Sequence, residues 1–195
     1  GWHGTLRGRA FDAWLRKGPT LELYLGCVTG TRGGVTRAGP LLRRFAATFS
    51  HLEPLDPAPP EVPDCTVYAE NEEWMRRWLA RPELRSSLDR LMEPTRRVAP
   101  VLRISPDAVQ YVRAFLPVAE VTAENLTAWL DDLETLAVTV DRVGPASPAA
   151  EPTRLETWGR TERGRSWLPK LFGCMGLVLL LVFGALYLLL ILEHG

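Results

Sequence analysis

The feature that most constrains this chain is a run of 22 consecutive uncharged residues, from Leu171 to Leu192. As an α-helix rising about 1.5 Å per residue, the run is about 33 Å long and spans a hydrocarbon core of about 30 Å. Buried helices of soluble domains rarely contain more than about 14 uncharged residues in a row. We therefore predict a transmembrane helix over 171–192, and we expect a tail-anchored protein because three residues follow it.

The charges that flank this run predict its orientation. Five basic residues lie between positions 154 and 170, and neither Lys nor Arg follows the run. The positive-inside rule then predicts a single-pass protein of a bacterial inner membrane, with a cytoplasmic N-terminal domain and the C-terminus outside. The predicted membrane-interface residues are Arg160, Arg163, Arg165, Trp167 and Lys170. The basic flank serves either as a topology signal or as a contact for anionic lipid headgroups.

Small residues share one side of the predicted span. At 100° per residue, Gly173, Gly176 and Gly184 fall on the same side as Tyr187. Small residues let a second helix backbone come close, and a hydroxyl can form a hydrogen bond across the contact. We predict that this stripe packs against another transmembrane helix, in a hetero-complex or a homodimer. The alternative is that glycine is simply frequent in membrane helices.

Composition limits the function of the remaining chain. The 23 Lys and Arg residues balance 23 Asp and Glu residues, which gives no support to a nucleic-acid binder. An apolar content of 46% excludes a disordered polyelectrolyte. The three cysteines form no CxxC pair, so the sequence predicts neither a zinc site nor a disulfide framework. We predict no catalytic, metal-binding or cofactor-binding residue.

Alternating apolar residues predict strands in an α+β domain over 1–144. Residues 5–28 are expected to form a β-hairpin around the turn at 17–19. A second hairpin is expected over 101–116, around Pro106-Asp107. The glycine-rich stretch 26–34 is interpreted as a flexible loop between strands, because a phosphate-binding P-loop needs a lysine that is absent here.

Helices are predicted between and after these hairpins. Pro40 should begin a short helix, Asn71 and Pro82 should begin two more, and Thr122 should cap a long amphipathic helix that ends at Gly144. The proline-rich residues 51–64 are expected to form an extended crossover. Residues 145–170 are interpreted as a Pro/Ala linker followed by a basic juxtamembrane segment.

Two groups of side chains have competing interpretations. Trp74 and Trp78 lie on one helical stripe, which indicates core packing or an exposed docking face. Asp131, Asp132 and Glu134 lie off the apolar stripe of their helix, so we expect a solvated face or an acidic docking surface.

These observations favour a small cytoplasmic domain of two β-hairpins and amphipathic helices, followed by one C-terminal transmembrane helix. The leading hypothesis is a non-enzymatic interaction module, an accessory or assembly subunit of a larger membrane complex. Its expected partners are the lipid bilayer and another transmembrane helix, with no nucleic acid. The alternatives are a membrane-surface regulatory domain that binds a small ligand between hairpin and helices, and an enzyme of unrecognised type.

Overall fold

The computed structural model describes residues 1–16, 19–37, 52–93 and 99–160. Within them lies one antiparallel sheet with the strand order β1-β2-β3-β8-β7-β4-β6-β5. Its strands are β1 (Trp2–Leu6), β2 (Arg9–Arg16), β3 (Thr20–Gly26), β4 (Gly33–Thr36), β5 (Glu53–Pro54), β6 (Thr66–Ala69), β7 (Val101–Ser105) and β8 (Ala108–Arg113). The helices are α1 (Glu72–Leu79), α2 (Pro82–Leu91), α3 (Ala123–Val143) and α4 (Arg154–Arg160), with a 3-10 turn at Val118–Glu120.

The chain divides into two compact units. The first, Gly1–Glu151, contains the whole sheet and helices α1 to α3. The second begins at Pro152, and α4 is its described helix. The α+β class and the antiparallel sheet confirm the coarser part of the sequence prediction.

Both predicted hairpins are present, but they belong to a single sheet. Strands β2 and β3 pair in the register that places Ala13 opposite Leu23, and β7 and β8 pair around Pro106-Asp107. The two hairpins meet where β3 pairs with β8, with Leu23 opposite Tyr111. Apolar residues at alternate positions explain this arrangement, because they place one continuous apolar face on neighbouring strands.

The interpretation of residues 26–34 as a flexible loop is wrong for its last two residues, Gly33 and Gly34. Gly33 begins β4, which lies between β7 and β6 in the interior of the sheet. A Cβ at Gly33 would meet the end of the Met75 side chain and lie 2.8 Å from the Tyr68 carbonyl oxygen. Glycine is therefore required at this position by close packing inside the sheet.

Helices α1 to α3 pack on one face of the sheet, called here the helix-covered face. The Asn71 side chain accepts a hydrogen bond from the Trp74 amide at 2.9 Å, and Thr122 accepts one from the Asn125 amide at 3.2 Å. Both predicted N-caps are thus confirmed. The α3 stripe meets the sheet where Trp129 lies beside Tyr111, with 6.3 Å between ring centroids.

The two tryptophans of α1 belong to the core. Trp74 and Trp78 are fully buried and stack on each other, with ring centroids 5.8 Å apart. The Trp74 indole N–H donates to the Gly144 carbonyl oxygen at 2.7 Å, which joins α1 to the end of α3. The structure therefore selects the core interpretation over the exposed docking face.

The solvated-face interpretation of the α3 carboxylates is wrong for two of the three. Asp132 is 3% exposed and Glu134 is 6% exposed, whereas Asp131 faces solvent. Arg90 of α2 binds both Asp132 oxygens, and Arg7 of the β1–β2 turn lies 2.6 Å from Glu134 Oε2. The apolar stripe of α3 could not reveal these arginines because they come from other elements.

The start of the predicted linker is attached to the first unit. The Ala146 amide donates to the Thr29 carbonyl oxygen and the Ala150 amide to that of Gly30. Arg32 donates to the Glu151 carbonyl oxygen at 2.7 Å. Residues 146–151 therefore lie along the loop after β3.

The predicted membrane span 171–192 lies outside the described residues, as do the predicted packing residues Gly173, Gly176, Gly184 and Tyr187. Among the residues that are described, no helix has both the length and the apolar character needed to cross a bilayer. The predicted interface residues Arg163, Arg165, Trp167 and Lys170 also lie outside, and Arg160 is the last residue of α4. The helix predicted to begin at Pro40 falls outside as well.

Candidate interaction face

The second face of the sheet carries polar side chains in one continuous line. Successive strand pairings place six such residues next to one another across the sheet, interrupted by Gly34 of β4. We call these residues the polar row: His3, Asp12, Tyr24, Gln110, Arg103 and Tyr68. Because side chains alternate along each strand, the row faces away from α1 to α3. Within the first unit, α3 contacts β3 and β8 from the opposite face, where Trp129 lies beside Tyr111.

The polar row is flanked by aromatic groups and has an exposed arginine near its centre. Arg103 is exposed, and Tyr24 is half-buried. Trp14 lies two residues after Asp12 on β2. Its ring contacts the His3 ring edge-to-face, with ring centroids 5.1 Å apart. Gly34 has no side chain, so a notch separates Arg103 from Tyr68. Tyrosine, tryptophan and arginine are the residue types enriched at binding hot spots.

A histidine and a carboxylate meet at the β1 end of the polar row. His3 Nδ1 lies 2.5 Å from Asp12 Oδ1, and both side chains are substantially exposed. Such a pair orients the base of a catalytic triad only where a nucleophile stands beside it. The ring in contact with His3 is that of Trp14, which is not a nucleophile. The geometry fits a surface hydrogen-bonding group.

A partly buried ion pair lies beside the polar row. Glu22 is opposite Trp14 in the register and is largely buried, and its carboxylate accepts two contacts from Arg16, at 3.0 and 3.2 Å. The two parallel contacts hold the arginine fork in one orientation. Gln110 in the middle of the row is buried as well. The Glu22 and Gln110 side chains are therefore buried beside Tyr24, and a preorganised binding surface requires such fixed neighbours.

A cleft of about 160 Å³ lies on another part of the first unit. Arg37, Asp64, Cys65, Arg85 and Asp89 contribute to its walls. Burial raises the pKa of the Cys65 thiol above its usual value, so the thiol is protonated and is a poor nucleophile. The cleft is smaller than the roughly 300–1,000 Å³ of typical ligand sites.

Two titratable groups of the helix-covered face, Cys27 and Tyr111, are held in their neutral forms. Burial raises the pKa of Cys27 to about 12, and it raises the pKa of Tyr111 to about 12 as well. Neither group supplies an acid or base near neutral pH. Within the described ranges, no three His, Cys, Asp or Glu side chains are grouped closely enough to hold a metal ion.

Sequence reasoning did not find the polar row. All of its candidate site residues lie between 160 and 187, and of these only Arg160 is described. One local signal was present. The dipeptide Arg7-Gly8 lies between two alternating stretches, and such a two-residue loop places His3 opposite Asp12.

The described part of the chain is thus an α+β protein with one antiparallel sheet and helices on one face. No protein-family model matches the chain, and none of the curated proteins matches it. Among solved structures, the chain is similar to the crystal structure of the mycobacterial trehalose monomycolate transport factor A, TtfA. The sequence identity is 13%, the TM-score is 0.48, and the likeness covers 77% of this chain and 74% of that chain. A likeness at this level carries no argument about function.

Proposed function

We propose that the protein is a non-enzymatic, membrane-anchored interaction module, an accessory or assembly subunit of a larger membrane complex. In this proposal the polar row binds the partner protein. The observation that carries it is the contrast between the faces of one sheet. Helices α1 to α3 pack on the apolar face, whereas the other face has an exposed Arg103 and, across the buried Gln110, the half-buried neighbours Tyr24 and Asp12.

The chemistry of the polar row suits a protein surface better than a small molecule. Arg103 offers five N–H donors in a planar fork, and Tyr24 combines a hydroxyl with a ring. Asp12 and the buried Gln110 add acceptors in the same line. Groups spread over successive strands, about 4.8 Å apart, match an extended surface rather than a closed pocket.

The membrane part of the proposal rests on the sequence. The uncharged run 171–192 supplies the anchor, and the basic residues before it favour a cytoplasmic first unit with the C-terminus outside. The stripe of Gly173, Gly176, Gly184 and Tyr187 is the proposed contact with a second transmembrane helix. The complex would then be held by two surfaces, one in the membrane and one on the sheet.

A photo-cross-linking amino acid at position 103 tests the role of the polar row. The full chain is expressed in the organism that it comes from, with the cross-linker in place of Arg103. As a control, the cross-linker replaces Glu93, which lies beyond the end of α2 and is also exposed. We expect a discrete adduct from position 103 that Asp12→Lys weakens and that position 93 does not give. Equal labelling patterns from the two positions would overturn the proposal.

A pair of double variants tests the proposed transmembrane contact. Replacing Gly176 and Gly184 by Leu adds bulk where a neighbouring backbone would lie and retains hydrophobicity. Replacing Val178 and Val182 by Leu changes the other side of the predicted helix. We expect the first variant to reduce recovery of the complex in mild detergent, with membrane insertion unchanged, and the second to behave as the parent. Equal recovery from both would leave the segment as a simple anchor.

A further inference from the structure

The two edges of the sheet differ in how they exclude additional strands. An edge strand exposes unpaired backbone N–H and C=O groups, and proteins protect such edges with short strands, charges or prolines. The β5 edge has all three protections, since it consists of Glu53 and Pro54 alone. The β1 edge has none, because its sequence Trp-His-Gly-Thr-Leu contains no charge and no proline.

The β1 edge is also accessible. Its first four residues are exposed, and Trp2 retains 53% of its surface. Among the described residues, β2 is the one strand that pairs with β1. An uncharged strand of five residues thus ends the sheet that the described residues form.

The turn into β2 determines which backbone groups of β1 point outward. Arg7 and Gly8 both have positive φ, 47° and 87°, as a type I′ hairpin turn requires. Leu6 and Arg9 flank this two-residue loop and form a hydrogen-bonded pair, and such pairs alternate along an antiparallel ladder. Trp2, Gly4 and Leu6 therefore bond to β2. The N–H and C=O groups of His3 and Thr5 point away from the sheet.

We propose that β1 is a dimer interface, on which β1 of a second copy pairs antiparallel about a two-fold axis at Gly4. In this register His3 lies opposite Thr5 of the second copy, and Thr5 lies opposite its His3. Each of the two pairs exchanges two N–H···O=C bonds, so the outward groups of both strands are satisfied. The two sheets become one continuous sheet.

The side chains of β1 match themselves in this register. Trp2 faces Leu6 of the second copy on the helix-covered side, and no like charges meet because the strand has none. At the axis, Gly4 meets Gly4, and the Phe11 ring already occupies the space where a Cβ would lie. This symmetry favours a second copy over an unrelated strand. The β1 edge adjoins the polar row at His3, but the dimer uses the outward backbone groups of β1 and does not depend on a partner protein.

Disulfide trapping tests the register directly. The full chain carries Cys174→Ala together with either His3→Cys or Thr5→Cys, and the two forms are purified alone or after co-expression. Hydrogen-bonded antiparallel partners have Cα atoms about 5.5 Å apart, which a disulfide can bridge. Two copies of the same position would be about 8 Å apart, beyond its reach.

We expect disulfide-linked dimers as the main oxidised product of co-expression and their loss when either form is oxidised alone. The native Cys27 and Cys65 are buried. The cross-linking that they give is the background, and it is measured on a chain that carries Cys174→Ala alone. Equal cross-linking in all samples, or none after co-expression, would overturn the proposal. A partner strand from another protein would give the second result.

A proline at position 5 provides an independent measurement. The Thr5 N–H points outward, so Thr5→Pro removes a donor to the second copy and no bond to β2. We expect light scattering of the detergent-solubilised full chain to show a protein mass halved relative to the parent, with the same far-UV circular dichroism. Thr5→Val keeps the N–H and should remain dimeric. A monomeric parent, or a dimeric Thr5→Pro protein, would contradict the proposed interface.

Discussion

The two faces of the sheet are built from the same strands and have different chemistry. In β3, the residues at 21, 23 and 25 are leucines, whereas those at 22 and 24 are Glu and Tyr. In β7, the buried Leu102 is followed by the exposed Arg103. One residue of displacement along a strand therefore separates a side chain that supports the fold from one that is available for binding. The comparison predicts that stability and recognition can be changed independently.

The largest expected effect on the free energy of unfolding comes from substituting one of two consecutive residues of β7, Leu102 and Arg103. Leu102→Ala removes a fully buried side chain from the helix-covered face and should lower the free energy of unfolding by about 2–5 kcal/mol. Arg103→Ala, one residue away on the polar row, should change it by less than about 0.5 kcal/mol. Urea unfolding of the two variants and the parent measures both values. Similar losses would mean that the polar row also forms part of a packed core.

Alkaline pH should destabilise the helix-covered face through Cys27. The pKa of this thiol is raised by burial from 9.0 to about 12, so between these values the unfolded chain loses a proton that the folded chain keeps. The resulting stability is fully present below pH 9 and is lost as pH rises towards 12. The Cys27 contribution should decrease by about 2–3 kcal/mol between pH 9 and pH 11.

Chemical unfolding at several pH values from 7 to 11 measures this effect. Cys27→Ala should be less stable than the parent at pH 7, because it loses buried volume, and should show a shallower decline above pH 9. Tyr111, whose pKa is also raised to about 12, remains in both proteins and contributes equally to both declines. Parallel curves for the two proteins would show that Cys27 ionises as easily in the folded chain as in the unfolded one.

Much of the fold could be predicted because its signals are local. The α3 stripe, the caps at Asn71 and Thr122, and the turn at Pro106-Asp107 each depend on residues within a few positions of one another. β4 could not be recognised in this way. It has four residues and begins with two glycines, so its sequence resembles a loop, and its place in the sheet depends on Met75 and Tyr68, which lie far away in the sequence.

The candidate site required information that a single stretch of sequence does not contain. The polar row exists only once β3 pairs with β8 and β7 with β4, pairings that join residues tens of positions apart. The buried carboxylates show the same dependence. Asp132 appears solvated on its own helix and becomes buried because Arg90 approaches from α2. The hairpin turn at Arg7-Gly8, by contrast, was a local signal for the pairing of His3 with Asp12.

Removing Arg90 should destabilise the first unit by about 1–3 kcal/mol. The side chain of Asp132 is 4% exposed, so Arg90→Ala leaves a buried carboxylate without its arginine partner. Because the Arg90 guanidinium donates hydrogen bonds to the Asp132 carboxylate, the pKa of Arg90 is raised and its charged form is stabilised. Thermal and urea unfolding measure the loss. Arg77→Ala is the control, because its 4.0 Å contact with Glu73 is exposed on both sides and should contribute almost nothing.

The smallest effect is expected where the polar row has its own hydrogen-bonded pair, His3 and Asp12. Asp12→Asn removes the charge that faces His3. The Asp12 side chain is 38% exposed and that of His3 is 62% exposed, so water can replace the lost contact. Exposed pairs contribute about 0–1 kcal/mol, so the free energy of unfolding should change by less than about 0.5 kcal/mol. The measurement is again urea unfolding, at low and at high salt. A loss of more than about 1 kcal/mol that salt does not reduce would show that another segment covers this end of the polar row, since only a buried pair escapes screening.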